Sequence, residues 1–194
     1  MHTTRSFPVP SGSWRRTLVA VLHLLLLAPV PAFAYTIGSW TQVAGIPGDN
    51  WLASPQSGLT LNLTPVADSI TNFGGSGTVT QTFVFSAPVT GSGTGTASTA
   101  NWQNLQVSAS SGSGLQVIIG FDTSSNPSGN PANLIYQSNQ FNTGTLPSNL
   151  PGTYNPKATS TFAVVELIFK AGPGSTTTWG PASVSSSPVS ITFQ

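Results

Sequence analysis

The chain has two histidines (His2 and His23), three arginines (Arg5, Arg15 and Arg16) and no cysteine, and all five of those basic residues fall before residue 34. Beyond that point the acids are Asp49, Asp68, Asp122 and Glu166, and the bases are Lys157 and Lys170. No Ser-His-Asp or Cys-His nucleophile can be assembled from this set, nor a His/Cys zinc site. What remains is a pair of carboxyls of the glycosidase kind. The four acids make six pairs, and the sequence does not say whether any converge. Glu166 sits within Val164-Val165-Glu166-Leu167-Ile168. Burial there would raise its pKa, but an edge or rim position on a strand is the expectation. The chain is therefore expected not to be an enzyme.

Binding is the other chemistry on offer. Sugar sites pair an aromatic face, on which sugar C–H groups pack, with amides and carboxylates that hydrogen-bond hydroxyls. Asp49, Asn50 and Trp51 occur together in a Gly/Pro segment, and Asn101, Trp102 and Asn104 follow a Gly/Ser/Thr run. Trp179, before Gly180-Pro181, is a third aromatic candidate, with Tyr136 and Tyr154 behind it. The opposing expectation is that these rings fill the core, which is where Trp40 is placed. Asp122, Ser124 and Asn126 put oxygen side chains at alternate positions, like the first half of a calcium loop. A second carboxylate and a closing glutamate are missing, so an Asx-type turn is expected and no metal or other cofactor is required. Asn62-Leu63-Thr64 reads as a glycosylation acceptor but falls inside a predicted strand.

Residues 1–34 carry a basic start, the apolar run 18–28 and the exit triplet Ala32-Phe33-Ala34. That order predicts a cleavable signal peptide and export by the general secretory route, secreted or periplasmic. Arg15-Arg16 also suits a twin-arginine signal, although the run is more apolar than such signals need. The run is short of the roughly 20 residues of a bilayer crossing, so no membrane span is expected after cleavage. Residues 35–194 then form the working domain, with two lysines against four acids. Such a surface has no basic face for phosphates, and nucleic acid is excluded as a partner. Solubility must come from Ser, Thr, Asn, Gln and Gly, and a surface with few titrating groups tolerates acid.

The elements that would position these residues are strands. Leu59, Leu61 and Leu63 alternate with Thr60, Asn62 and Thr64. Val79, Gln81, Phe83 and Phe85 share one face, as do Leu115, Val117, Ile119 and Phe121. Leu105, Val107 and Ala109 lead through a short Ser/Gly stretch into the last of these, which predicts a hairpin. Residues 134–138 make a further strand. Residues 159–171 are apolar on both faces and should be central in a sheet, and Val189, Ile191 and Phe193 close the chain. Residues 89–100, 122–132 and 139–156 read as long loops. No segment of residues 35–194 has a convincing helical period. The prediction is an all-β domain, a two-sheet antiparallel sandwich.

The segments 58–63 (GLTLNL), 80–88 (TQTFVFSAP), 115–121 (LQVIIGF), 162–170 and 188–193 (PVSITF) follow one another in an order that resembles the jelly-roll carbohydrate-binding modules and related exported bacterial sandwich domains. The resemblance spans most of residues 35–194. It implies a jelly-roll-like sandwich that binds a polysaccharide or cell-surface glycan. Ser187 and Pro188 stand where such modules carry an acidic pair, which puts the family's structural calcium in doubt here. A self-associating structural or adhesive subunit is the alternative, with residues 35–43 or 189–193 donated to a neighbouring copy. A small carboxylate-based glycoside-acting enzyme is the third.

Overall fold

The structure, a computed structural model, describes residues 35–52, 54–91, 98–110, 112–138, 149–150, 160–182 and 187–194. Residues 1–34, the central part of the first long loop, nearly all of 139–156, Tyr154 and Lys157 lie outside the described residues.

Period-two alternation becomes strand throughout. The strands are β1 (Tyr35–Ile37), β2 (Thr41–Ala44), β3 (Thr60–Leu63), β4 (Asp68–Thr71), β5 (Val79–Gly91), β6 (Ser98–Asn101), β7 (Leu105–Ala109), β8 (Gly114–Asp122), β9 (Asn133–Gln137), β10 (Asn149–Leu150), β11 (Phe162–Ala171), β12 (Thr176–Pro181) and β13 (Val189–Thr192). One sheet of six strands runs β1-β5-β11-β8-β9, with β2 also on β5. A four-stranded sheet runs β10-β6-β13-β3 and a three-stranded sheet β4-β12-β7. The pairings are antiparallel, and no described residue is helical. The domain is an all-β antiparallel sandwich.

The doubly apolar strand is central, as its composition requires. β11 lies between β5 and β8, with Glu166 opposite Val84 on one side and Ile118 on the other. Odd-numbered residues of the three strands point inward: Phe83, Phe85 and Ala87, then Leu115, Val117, Ile119 and Phe121, then Ala163, Val165, Leu167 and Phe169. They meet Leu61, Leu63, Leu105, Trp179, Val189 and Ile191 from the smaller sheets in one core. Even-numbered Val84, Ile118, Val164 and Glu166 are buried as well, so the outer face of the large sheet is partly covered.

The predicted hairpin does not form. β7 pairs with β12 and β8 pairs with β11 and β9, so the stretch 110–113 carries the chain between sheets. Both strands still turn their odd residues to the core, because an arch between facing sheets preserves the alternation that a hairpin would use. Two further arches, β4 to β5 and β11 to β12, cross at the same end of the sandwich. Buried polar groups tie them together. The Asn72 amide donates to the carbonyls of Gly77 and Ala171, and Ser113 Oγ accepts the Gly172 N–H at 2.9 Å and meets Ser175 Oγ at 2.7 Å.

Candidate functional site

The three tryptophans proposed from sequence are interior. Trp51, Trp102 and Trp179 are 0%, 7% and 4% exposed, and Trp40 is buried with them. Trp51 packs on Phe83 at 4.8 Å between ring centroids, and Trp179 stacks on Phe169 at 4.1 Å. Phe83 and Phe169 meet edge to face, which closes one aromatic cluster around Trp51 and Trp179. The indole N–H groups of these two tryptophans are buried without an acceptor. Their faces serve cohesion and are not available as a stacking platform. Asn104 is buried too, its Oδ1 without a donor. Asn101 is exposed, and its side chain accepts the Gln103 N–H in an Asx turn.

Asp49 and Asn50 are placed differently. The buried Trp51 ring anchors the loop that carries them. Gln42 fixes that loop twice: its amide donates to the Asp49 carbonyl at 2.7 Å and its Oε1 accepts the Trp51 N–H at 2.9 Å. Asn50 Oδ1 takes the Leu52 N–H at 3.0 Å. Outside the loop lies an open pocket of about 620 Å³, bordered by Thr41, Gln42, Asp49, Asn50 and Ser54, with Trp40, Leu52 and Pro55 as its apolar wall. Asp49 Oδ2 is shielded from solvent and has no hydrogen-bond partner. The structure thus brings Asp49 and Asn50 to one pocket. It leaves Asn101 in the four-stranded sheet and Trp179 in the three-stranded one.

The oxygen-rich segment after β8 closes on itself. Asp122 Oδ1 accepts the Ser124 N–H at 2.8 Å and Oδ2 accepts the Ala132 N–H at 2.7 Å, so one carboxylate holds both ends of the loop 123–131. Ser124 Oγ in turn takes the Asn126 N–H. Burial pushes the Asp122 pKa up, but these backbone donors outweigh it and the net direction is down. Among the described residues, no group of three or more His, Cys, Asp or Glu side chains is arranged to hold a metal ion.

Glu166 is not at a strand edge. It is 5% exposed at the centre of the large sheet, and burial, reinforced by the negative charge of Asp122, pushes its pKa up to about 7. The carboxyl borders a groove of about 400 Å³ on the outer face of that sheet. Thr82, Val84, Gln116, Ile118 and Ile168 line the groove beside it, and residues 126–130 with Gln137 form its wall. Glu166 Oε1 has no hydrogen-bond partner. Asp122 follows Ile118, the β8 partner of Glu166, by four residues, about 13 Å along the strand.

Phe73, absent from the sequence-based candidates, is 96% exposed. It heads a Gly-rich turn held by Asn72, whose Oδ1 accepts the N–H groups of Gly74 and Gly75. The signal was legible, because an aromatic followed by Gly74-Gly75-Ser76-Gly77 has no strand face to bury it. The two strands considered for donation to another copy are used within this chain. β1 pairs with β5, and β13 is paired on both edges, with β3 and β6. No protein-family model, curated protein or solved structure gives a match to this chain.

Proposed function

We propose that this is an exported, non-catalytic sandwich protein that binds a neutral, hydroxyl-rich glycan at the pocket beside β2. The observation that carries the reading is the orphaned Asp49 Oδ2, set among Gln42, Asn50, Thr41 and Ser54 with an apolar wall behind them. An acceptor shielded from water and left unpaired costs about 1 to 3 kcal/mol, and a ligand whose binding shifts the loop enough to bring a hydroxyl to Oδ2 would recover it. A pocket with one carboxyl and no base among its lining residues favours hydroxyl donors over anionic ligands, and the edges of Trp40, Leu52 and Pro55 offer packing for sugar C–H groups. The anchoring Trp51 works from below, holding the loop without meeting the ligand.

Retention on a panel of insoluble and soluble polysaccharides tests this. Asp49→Ala with Asn50→Ala should abolish retention while leaving the unfolding midpoint near that of the parent. Trp51→Ala is expected to cost about 3 to 5 kcal/mol of stability, so loss of binding in that variant alone would report unfolding. Retention unchanged in the double variant, or no retention of the parent on any glycan, overturns the proposal.

A further inference from the structure

We infer that the groove over Glu166 is a second ligand site, one that takes a primary alkylammonium group. Three observations converge. The Glu166 side chain is more than nine-tenths buried, borders the groove, and has Oε1 without a partner. Ala44, Val84, Ile118, Ile168 and Pro127 give the groove an apolar lining suited to a methylene stem. Asp122 adds a second negative charge near Glu166, and Lys170, the base among the described residues, spends its ammonium on Gln116.

Around Glu166, β2 and β5 present Ala44, Thr82, Val84 and Ser86, none of which titrates. β8 presents Gln116, Ile118 and Asp122, whose carboxylate is close enough to raise the Glu166 pKa. β9 presents Gln137, and residues 126–130 contribute Asn126, Ser128 and Asn130. On β11 itself, Lys170 lies four residues along, and its Nζ donates to Oε1 of Gln116, a groove-lining residue, at 2.6 Å. The groove therefore has a carboxyl, an aliphatic floor and amides, and no base among the residues that line it. An ammonium entering it would meet Glu166 as carboxylate, with the Asn126 and Ser128 side-chain oxygens on the groove wall for its other N–H bonds.

Binding an ammonium to a carboxyl that is neutral when free displaces one proton to the buffer. Titration of the full chain with n-butylamine, by calorimetry in two buffers of different ionisation enthalpy, should show saturable binding. It should release a proton at pH 6, release none at pH 8.5, and tighten as pH rises through 7. n-Butanol and butyrate should bind at least about tenfold more weakly. Glu166→Gln, which keeps the side-chain volume, should lose the amine and the proton release together. Comparing cadaverine with an N-acetyl-lysine amide separates a free polyamine from a lysine side chain as the natural source. Asp49→Ala should leave amine binding unchanged, so failure here and failure of the glycan reading are distinguishable. Butanol binding as well as butylamine, Glu166→Gln binding normally, or absence of saturable binding each overturns the inference.

Discussion

Asp122 and Glu166 lie on the same face of the same sheet, and their surroundings send their acidities in opposite directions. Asp122 collects two backbone N–H donors, which favour its charged form. Glu166 collects burial and a like charge, which favour its neutral form. Asp122→Asn keeps one acceptor but turns an amide toward the N–H of Ser124 or of Ala132. It should cost about 1 to 2 kcal/mol at pH 7, since the site is open to water on one side. The cost should shrink at a pH below the parent carboxyl's lowered pKa, where the carboxylate is itself protonated. The same variant removes the charge that acts on Glu166, so the Glu166 titration should move down. Denaturant unfolding at the two pH values checks the first part, and carboxyl chemical shifts followed by NMR check the second. The sequence showed Asp122, Ser124 and Asn126 correctly as turn-formers, because i to i+2 bonding depends only on local spacing. It did not show that Glu166 would be buried on both sides, because that depends on which strands flank β11.

At the level of elements, alternation marked most of the strands but not their partners. Leu105, Val107 and Ala109 and then Leu115, Val117 and Ile119 read the same whether the link between them makes a hairpin or an arch. What decides is non-local. Ser113 is drawn to Gly172 and Ser175 on another connection, and neither is near it in sequence. The candidate site was half legible for the same reason. Asp49 and Asn50 sit in a loop whose Gly and Pro content announced it, whereas the burial of Trp51 and Trp179 follows from Phe83 and Phe169 meeting them across the core. The β8–β9 ribbon contains a further element-scale constraint. Its register shifts between Ile119 and Gly120, and a Cβ at Gly120 would lie 2.7 Å from both the Asn133 carbonyl oxygen and Pro131 Cβ. The bulge brings the loop 123–131 down over the outer sheet face, where it walls the groove. Gly120→Ala should force that wall away at a cost of about 1 to 3 kcal/mol. Hydrogen exchange should show β9 opening more readily than β5 or β11, while equal protection across the ribbon would count against this account.

For the whole molecule, low charge makes stability depend on very few titrations. Asp122 has a folded pKa below its ordinary 3.8. Its contribution is complete above that value and is lost as pH falls through the lowered folded one. Glu166 has its folded pKa raised from 4.5 to about 7. Folding therefore favours its neutral form, the native state is unpenalised below 4.5, and a penalty grows as pH rises to about 7 and then levels off. Together the two acids place greatest stability near pH 3.8 to 4.5, with a decline on the neutral side. Because the Glu166 carboxyl borders an open groove, water relieves part of the penalty, leaving about 1 to 2 kcal/mol. For a domain of this size that is roughly 3 to 6 °C in the unfolding midpoint between pH 4.5 and pH 8. Glu166→Gln should flatten that decline and raise the midpoint at pH 8, with little effect at pH 4.5. A saturating alkylammonium should do the same for the parent chain, since it gives the ionised carboxyl a partner. A parent midpoint that climbs from pH 4.5 to pH 8 would mean that Glu166 is solvated, and the groove would then lose the buried carboxyl on which its chemistry depends.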